Sequence, residues 1–149
     1  MSAAETDRGM RAVARVRSVR ERDSRLGLQM ALVEHRREGE RLAALQRRLD
    51  DAPVWGSGDV SSFLAVRASL ESLSHAVTDA QQAVDAAARI SETAHAHWVS
   101  DRSRLRAVEV LLERRAEARR QELARREARE LDDISAQLWS RTKTGKDQA

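Results

Sequence analysis

The chain has 149 residues, of which 34% are charged and 3% aromatic, with one proline and no cysteine. This composition excludes a large apolar core around a buried active site, excludes disulfide and thiolate chemistry, and fits long helices or a coiled coil. The formal charge is +3 while the pI is about 10.4, because Lys143 and Lys146 are the only lysines and the arginines are interleaved with glutamate. The far fields of such a pattern largely cancel, which argues against a nucleic-acid binder despite the high pI.

Residues 1–7 are small and polar and read as a frayed end. Asp7 can cap a first helix over about 8–52. Its apolar positions Ala12, Val16, Val19, Leu26, Met30 and Val33 repeat in threes and fours around an intruding Asp23. The phase then slips between Arg37 and Arg41, with Gly39 in the slip, and Leu42, Leu45, Leu49 and Ala52 continue on a shifted stripe. Such a stutter locally unwinds a supercoil.

Pro53, Gly56 and Gly58 place a reversal at 53–60, with Trp55 as an exposed anchor and Asp59 or Ser61 as the next cap. A second helix over about 60–141 carries the most regular pattern in the chain. Phe63, Val66, Leu70, Leu73, Val77, Ala80, Val84, Ala87, Ser91, Ala94, Trp98, Asp101, Leu105, Val108 and Leu112 repeat every 3.5 residues, and only Ser91 and Asp101 of them are polar. This is a seam that winds against another helix. The fold class expected is all-α, two long helices in an antiparallel coiled-coil hairpin within a single domain, the second helix longer and overhanging.

At 1.5 Å per residue the helices span ~65 and ~120 Å. A tight reversal near residue 56 pairs residues whose numbers add to about 113. Leu26, Met30 and Val33 then face Ala87, Val84 and Ala80, and cysteines at 26 and 87 crosslink within one chain. Beyond Leu112 the second helix overhangs through a charged stretch supported by the i,i+4 pairs Glu122–Arg126 and Arg126–Glu130. An apolar stripe returns at Leu131, Ile134 and Leu138, beside Trp139, and reads as a docking site for another protein. The tail 142–149 is expected to be disordered.

Nothing resembles catalytic machinery. Gly56-Ser57-Gly58 lacks the lysine and flanking strand of a phosphate loop. His35 and His75 are near neighbours in the expected register, Glu92 lies one turn from His95, and His95 and His97 cannot share a helical face, so no three-ligand metal set forms. Asp132 and Asp133 are adjacent and point apart. Trp98 falls on the seam, where core packing is its role. No cofactor, metal or small-molecule substrate is expected, and no run approaches the ~20 apolar residues of a membrane span.

The segment Val16-Arg17-Ser18-Val19-Arg20-Glu21-Arg22-Asp23 contains an apolar–x–x–apolar–Arg–Glu signature. Trp98, Arg102, Arg104 and Leu105, then Leu111-Leu112-Glu113-Arg114, follow on the second helix, and Glu127-x2-Glu130-Leu131-Asp132-Asp133 closes the series. Over roughly residues 10–140 this order resembles the flagellar export protein FliJ family, a relative of the injectisome stalk proteins. The resemblance implies a slender antiparallel coiled coil like the central stalk of rotary ATP synthases. It also implies three partners: the export ATPase hexamer, the cytoplasmic domain of the export gate, and export chaperones. The protein would be cytoplasmic and peripheral at the inner face of the cell membrane, a monomeric hairpin that regulates the ATPase and serves flagellum biogenesis and hence chemotaxis. Arg20, Glu21, Glu130, Leu131, Asp132, Ile134 and Leu138 would face the ATPase ring, and Trp55, Phe63, Val66 and Leu70 the gate. Two alternatives remain beside it: a homodimeric coiled-coil scaffold, and an Arg-rich nucleic-acid binder.

Overall fold

The computed structural model describes residues 3–146, with side chains over 7–139. Two helices, α1 (Ala3–Asp50) and α2 (Val60–Lys146), pack against each other as an antiparallel hairpin with no strand among the described residues. Both helices are longer than the sequence suggests. α1 begins ahead of Asp7, and α2 continues through Lys146, five residues past the expected end at Arg141. The rest of the expected tail, 147–149, lies outside the described residues. Residues 16–105 form one packing unit, and the described parts of 1–15 and 106–149 form another.

The seam of α2 lies where its repeat places it. Every position from Val66 to Leu112 in that series is buried or half-buried, and Ala80 is only 1% exposed. The half-buried Arg115 extends it by one step. α1 behaves otherwise. Its inward positions are Asp7, Met10, Ala14, Arg17, Glu21, Ser24, Leu28, Ala31, His35, Glu38, Leu42, Leu45, Leu49 and Ala52, in unbroken alternation of three and four. There is no stutter at Gly39. The stripe Val16, Val19, Leu26, Met30 and Val33 faces solvent instead, with Met30 74% exposed. The leucines next to the turn fix the phase. A helix that keeps a 3.5-residue seam cannot change stripe partway without a stutter. Leu42, Leu45 and Leu49 therefore carry the same phase back through polar residues.

Several polar residues on the two seams are hydrogen-bonded. Ser24 Oγ donates to the carbonyls of Arg20 and Glu21 at 3.0 and 3.1 Å, and Ser91 Oγ donates to the Ala88 carbonyl at 2.8 Å. Glu38 Oε2 is buried without a hydrogen bond, with Arg41 Nη1 3.5 Å away. Trp98 Nε1 donates to Glu21 Oε1 at 2.9 Å. That pair, with Leu28 beside Ser91 and Leu49 beside Leu70, fixes a register in which facing numbers add to about 119. The expected register is thus wrong by about six residues, roughly 9 Å of helix. His35 and His75 are not level with each other in the observed register.

The cause is the turn, which is not tight. α1 closes with Asp51 N–H donating to the Arg47 carbonyl (2.9 Å) and Ala52 N–H to the Leu49 carbonyl (3.2 Å). Non-helical residues then run back along the first turns of α2, bringing Pro53, Val54 and Trp55 beside Phe63, Val66 and Leu70. Extended chain rises ~3.3 Å per residue against 1.5 Å in a helix, so a few such residues lie level with many more of α2.

Asp59 caps α2. Its Oδ1 accepts from the Ser62 N–H (3.0 Å) and hydroxyl (2.5 Å), and its Oδ2 from the Ser61 hydroxyl (2.9 Å). Gly58 precedes it at φ +153°, a backbone that side-chain-bearing residues rarely adopt, with Ser62 and the Trp55 indole 3.5 Å from where a Cβ would sit.

Two outcomes follow from this geometry. Cysteines replacing Leu28 and Ser91 should form an intrachain disulfide on oxidation, seen as a gel-mobility shift, whereas cysteines at 26 and 87 should not. The hydrogen bonds from Ser62, chiefly its hydroxyl, hold the Asp59 carboxyl below its ordinary value. Its contribution to stability is therefore full above the unfolded carboxylate value of about 4 and fades as pH falls through the lower folded value. Thermal melts of the native chain and Asp59→Asn should differ at pH 7 and converge as the pH falls through the lowered Asp59 value.

Candidate functional site

Of the polar side chains on the seam, Glu21 and Asp7 bridge the two helices, through Trp98 and through Arg115 and Arg119. In the 16–105 unit, Glu21 is 7% exposed and engaged by the Trp98 indole. The Arg102 guanidinium lies 5.6 Å over the Trp98 ring, and the His95 ring is 5.9 Å away with planes at 52°. Arg20, next to Glu21, is exposed. One helical step thus divides the Arg-Glu signature into a buried acceptor and a surface cation.

The four residues expected at the turn come together. Trp55 meets Phe63 edge to face, with ring centroids 5.3 Å apart and planes at 73°. Beside them Val66 and Leu70 from α2 and Leu49, Ala52, Pro53 and Val54 from the α1 side enclose a cleft of about 420 Å3. Trp55 is therefore not a free anchor but one wall of an open apolar cleft, and both rings keep about two-fifths of their surface exposed. Asp50 and Arg67 complete the lining as its charged groups. A shape of this kind accepts an apolar side chain from a partner, with polar groups to orient it.

In the other unit the organising residue is one that sequence reasoning misassigned. Asp7 is not a helix cap. It sits inside α1, 7% exposed, paired with Arg115 Nη1 at 3.5 Å and with Arg119. The signal for this role lay in the seam phase, since Asp7 falls on the alternating series that ends at Ala52. The overhang therefore begins beyond Arg119 rather than at Glu113.

Every described residue from Glu117 to Trp139 is exposed. Ion pairs along its own helix support this stretch, Arg120 with Glu117 and Arg126 with Glu122, and Arg106 pairs with Glu109 and Glu113 just ahead of it. The Arg120 hydrogen bond holds the Glu117 carboxyl below its usual value, aided by Gln121. On this surface lie Glu130, Asp132 and the large apolar residues Leu131, Ile134 and Leu138, with Leu131 65% exposed. Of the residues expected to face one partner, Arg20 and Glu21 belong to the 16–105 unit and Glu130 to Leu138 to the other. Among the described residues no group of three His, Cys, Asp or Glu could hold a metal ion, and no helix is long and apolar enough to cross a membrane.

Residues 8–144 match the model of a family described as the flagellar FliJ protein. No curated protein and no solved structure matches the chain.

Replacing Trp98 by Phe should leave the buried Glu21 carboxylate without its donor and destabilise the fold by about 1–3 kcal/mol in urea unfolding. Adding Glu21→Leu to that variant should recover part of the loss, because the uncompensated charge is then gone.

Proposed function

Because the chain belongs to the FliJ family of flagellar proteins, a component of flagellar export, we propose that it is the stalk that binds and regulates the export ATPase hexamer and also contacts the export gate. The observation that carries this reading is the exposed stretch 120–139 within a match that spans nearly the whole chain. A helix with large exposed apolar side chains, kept helical by its own ion pairs, is suited to fit a groove or a ring in another protein. Glu130, Leu131, Asp132, Ile134 and Leu138 are the contacts assigned to the ATPase ring, with Arg20 as a surface cation of the same set. Glu21 supports that set indirectly by fixing the α1 backbone against Trp98.

The turn cleft of Trp55, Phe63, Val66 and Leu70 is assigned to the cytoplasmic domain of the gate, and export chaperones are further partners. The protein would then act in the cytoplasm, held at the inner face of the membrane only through these partners. The mechanism is positional. A helical hairpin does not hydrolyse ATP, but by binding one arrangement of a ring better than others it shifts the ring toward that arrangement. The scaffold alternative, in which two chains share a seam, is disfavoured because α2's seam is filled by α1 of the same chain, as the Trp98–Glu21 bond marks.

The test is the steady-state rate of the cognate export ATPase. The full chain should raise it, and removal of residues 120–149 or the pair Leu131→Asp and Ile134→Asp should abolish the rise. An unchanged rate where the two proteins bind refutes the regulatory role. Trp55→Ala with Phe63→Ala should abolish binding to the isolated gate domain while the ATPase stimulation persists.

A further inference from the structure

The paired helices of the 16–105 unit border each other along two edges, and one edge carries two hollows. The first is the turn cleft, which Arg67 lines four residues after Phe63 in the α2 repeat. The second is a notch of about 280 Å3 between Leu28 and Leu32 of α1 and Ser91, Glu92 and His95 of α2. Leu32 and His95 likewise follow the seam residues Leu28 and Ser91 by four, so cleft and notch open on the same edge. Arg67 and His95 stand four seven-residue repeats apart, ~42 Å of helix. Between the hollows the matching positions are Gln46 and Gly39 on α1 and Ser74, Gln81 and Ala88 on α2. None is a large apolar residue, and a Cβ on Gly39 would meet nothing within 4 Å. The edge is a low track with an apolar hollow at each end.

Each hollow also has a carboxylate without an ion pair. In the cleft Arg67 is engaged by Glu71 at 3.1 Å, while Asp50 forms no ion pair among the described residues. At the notch the Ser91 hydroxyl donates to the Ala88 carbonyl, and Glu92 forms no ion pair among the described residues. An apolar hollow beside an unpaired carboxylate selects an apolar side chain with a cation next to it. The backbone groups along α1 and α2 are bonded within each helix, so this edge offers no ladder to an extended segment. A helix arrives with its own backbone already bonded. We propose that one helix of a partner protein lies along this edge as a third strand. It places one apolar side chain in the cleft and another in the notch, four seven-residue repeats apart, with a lysine or arginine beside each. This gives the chemistry of what enters the cleft assigned above to the gate, and rests on that assignment only for which protein supplies the helix.

The experiment is fluorescence anisotropy of a labelled synthetic peptide titrated with the full chain. The peptide is an alanine-based helix of five repeats, with two leucines four repeats apart and a lysine beside each. Saturable binding is expected. Asp50→Lys and Glu92→Lys should each weaken it by about tenfold, and a peptide with glutamate for lysine should prefer the chain carrying both substitutions. Leu32→Glu, or moving the leucines to two repeats apart, should also weaken binding by about tenfold or more, because both hollows are then no longer filled together. Circular dichroism checks that the variants, all at exposed positions, stay helical. No binding, indifference to the charge exchange, or indifference to the leucine spacing overturns the proposal. So does self-association of the chain that the peptide dissolves, which would make a second copy the occupant. No arm uses the gate domain, so a failure of the gate assignment leaves this result standing.

Discussion

α1 must hold one phase of a 3.5-residue repeat from Ala52 back to Asp7, and the other features of the molecule follow from that constraint. The leucines beside the turn set the phase, and a continuous helix has no means of abandoning it short of an insertion. Arg17, Glu21, Ser24, His35 and Glu38 are thereby drawn onto the seam, and apolar residues of higher burial preference are left outside. The hydrogen bond between Glu21 and Trp98 gives one buried carboxylate a fixed address, and with it a register. A polar residue on a coiled-coil seam typically trades stability for such specificity.

The same constraint distributes the surfaces available to partners. Where α1 is paired, the seam consumes the apolar residues of α2 and leaves the outward stripe of α1. Past Arg119 the described residues up to Trp139 are all exposed, and ion pairs between neighbouring turns support the helical form of α2. Around the turn, the return of residues 53–55 along α2 converts a set of apolar residues into a walled cleft. Three surfaces result: an aromatic cleft, an arginine-bordered stripe and a charged helix with acidic and apolar groups on one face. Exposed apolar surfaces of these kinds are ones that peptides and helices can dock on, and the chain belongs to the FliJ family of flagellar proteins.

Much of this is legible in the residues. The α2 seam from Val66 to Leu112 can be read directly, because all of its buried or half-buried positions in the 3.5-residue series are apolar except Ser91 and Asp101. The Asp59 cap and the reversal around Pro53 and Gly58 follow from residue chemistry, and the family resemblance from the order of short motifs. α1 could not be read in this way, because apolarity and burial diverge along it. Its most regular apolar stripe is its outer face, and Asp7, which has the composition of a cap, is a seam residue held by two arginines.

The sequence by itself determined the two helices, the break between them, the seam of α2 and the family, since each depends on local propensity or on a pattern within one element. Only the tertiary structure decided which face of α1 turns inward and at what register. Those depend on how far residues 51–59 reach before α2 begins, and on which long-range pairs, Glu21 with Trp98 and Asp7 with Arg115 and Arg119, are satisfied together. Such pairs join residues far apart in the chain, and no local pattern encodes them.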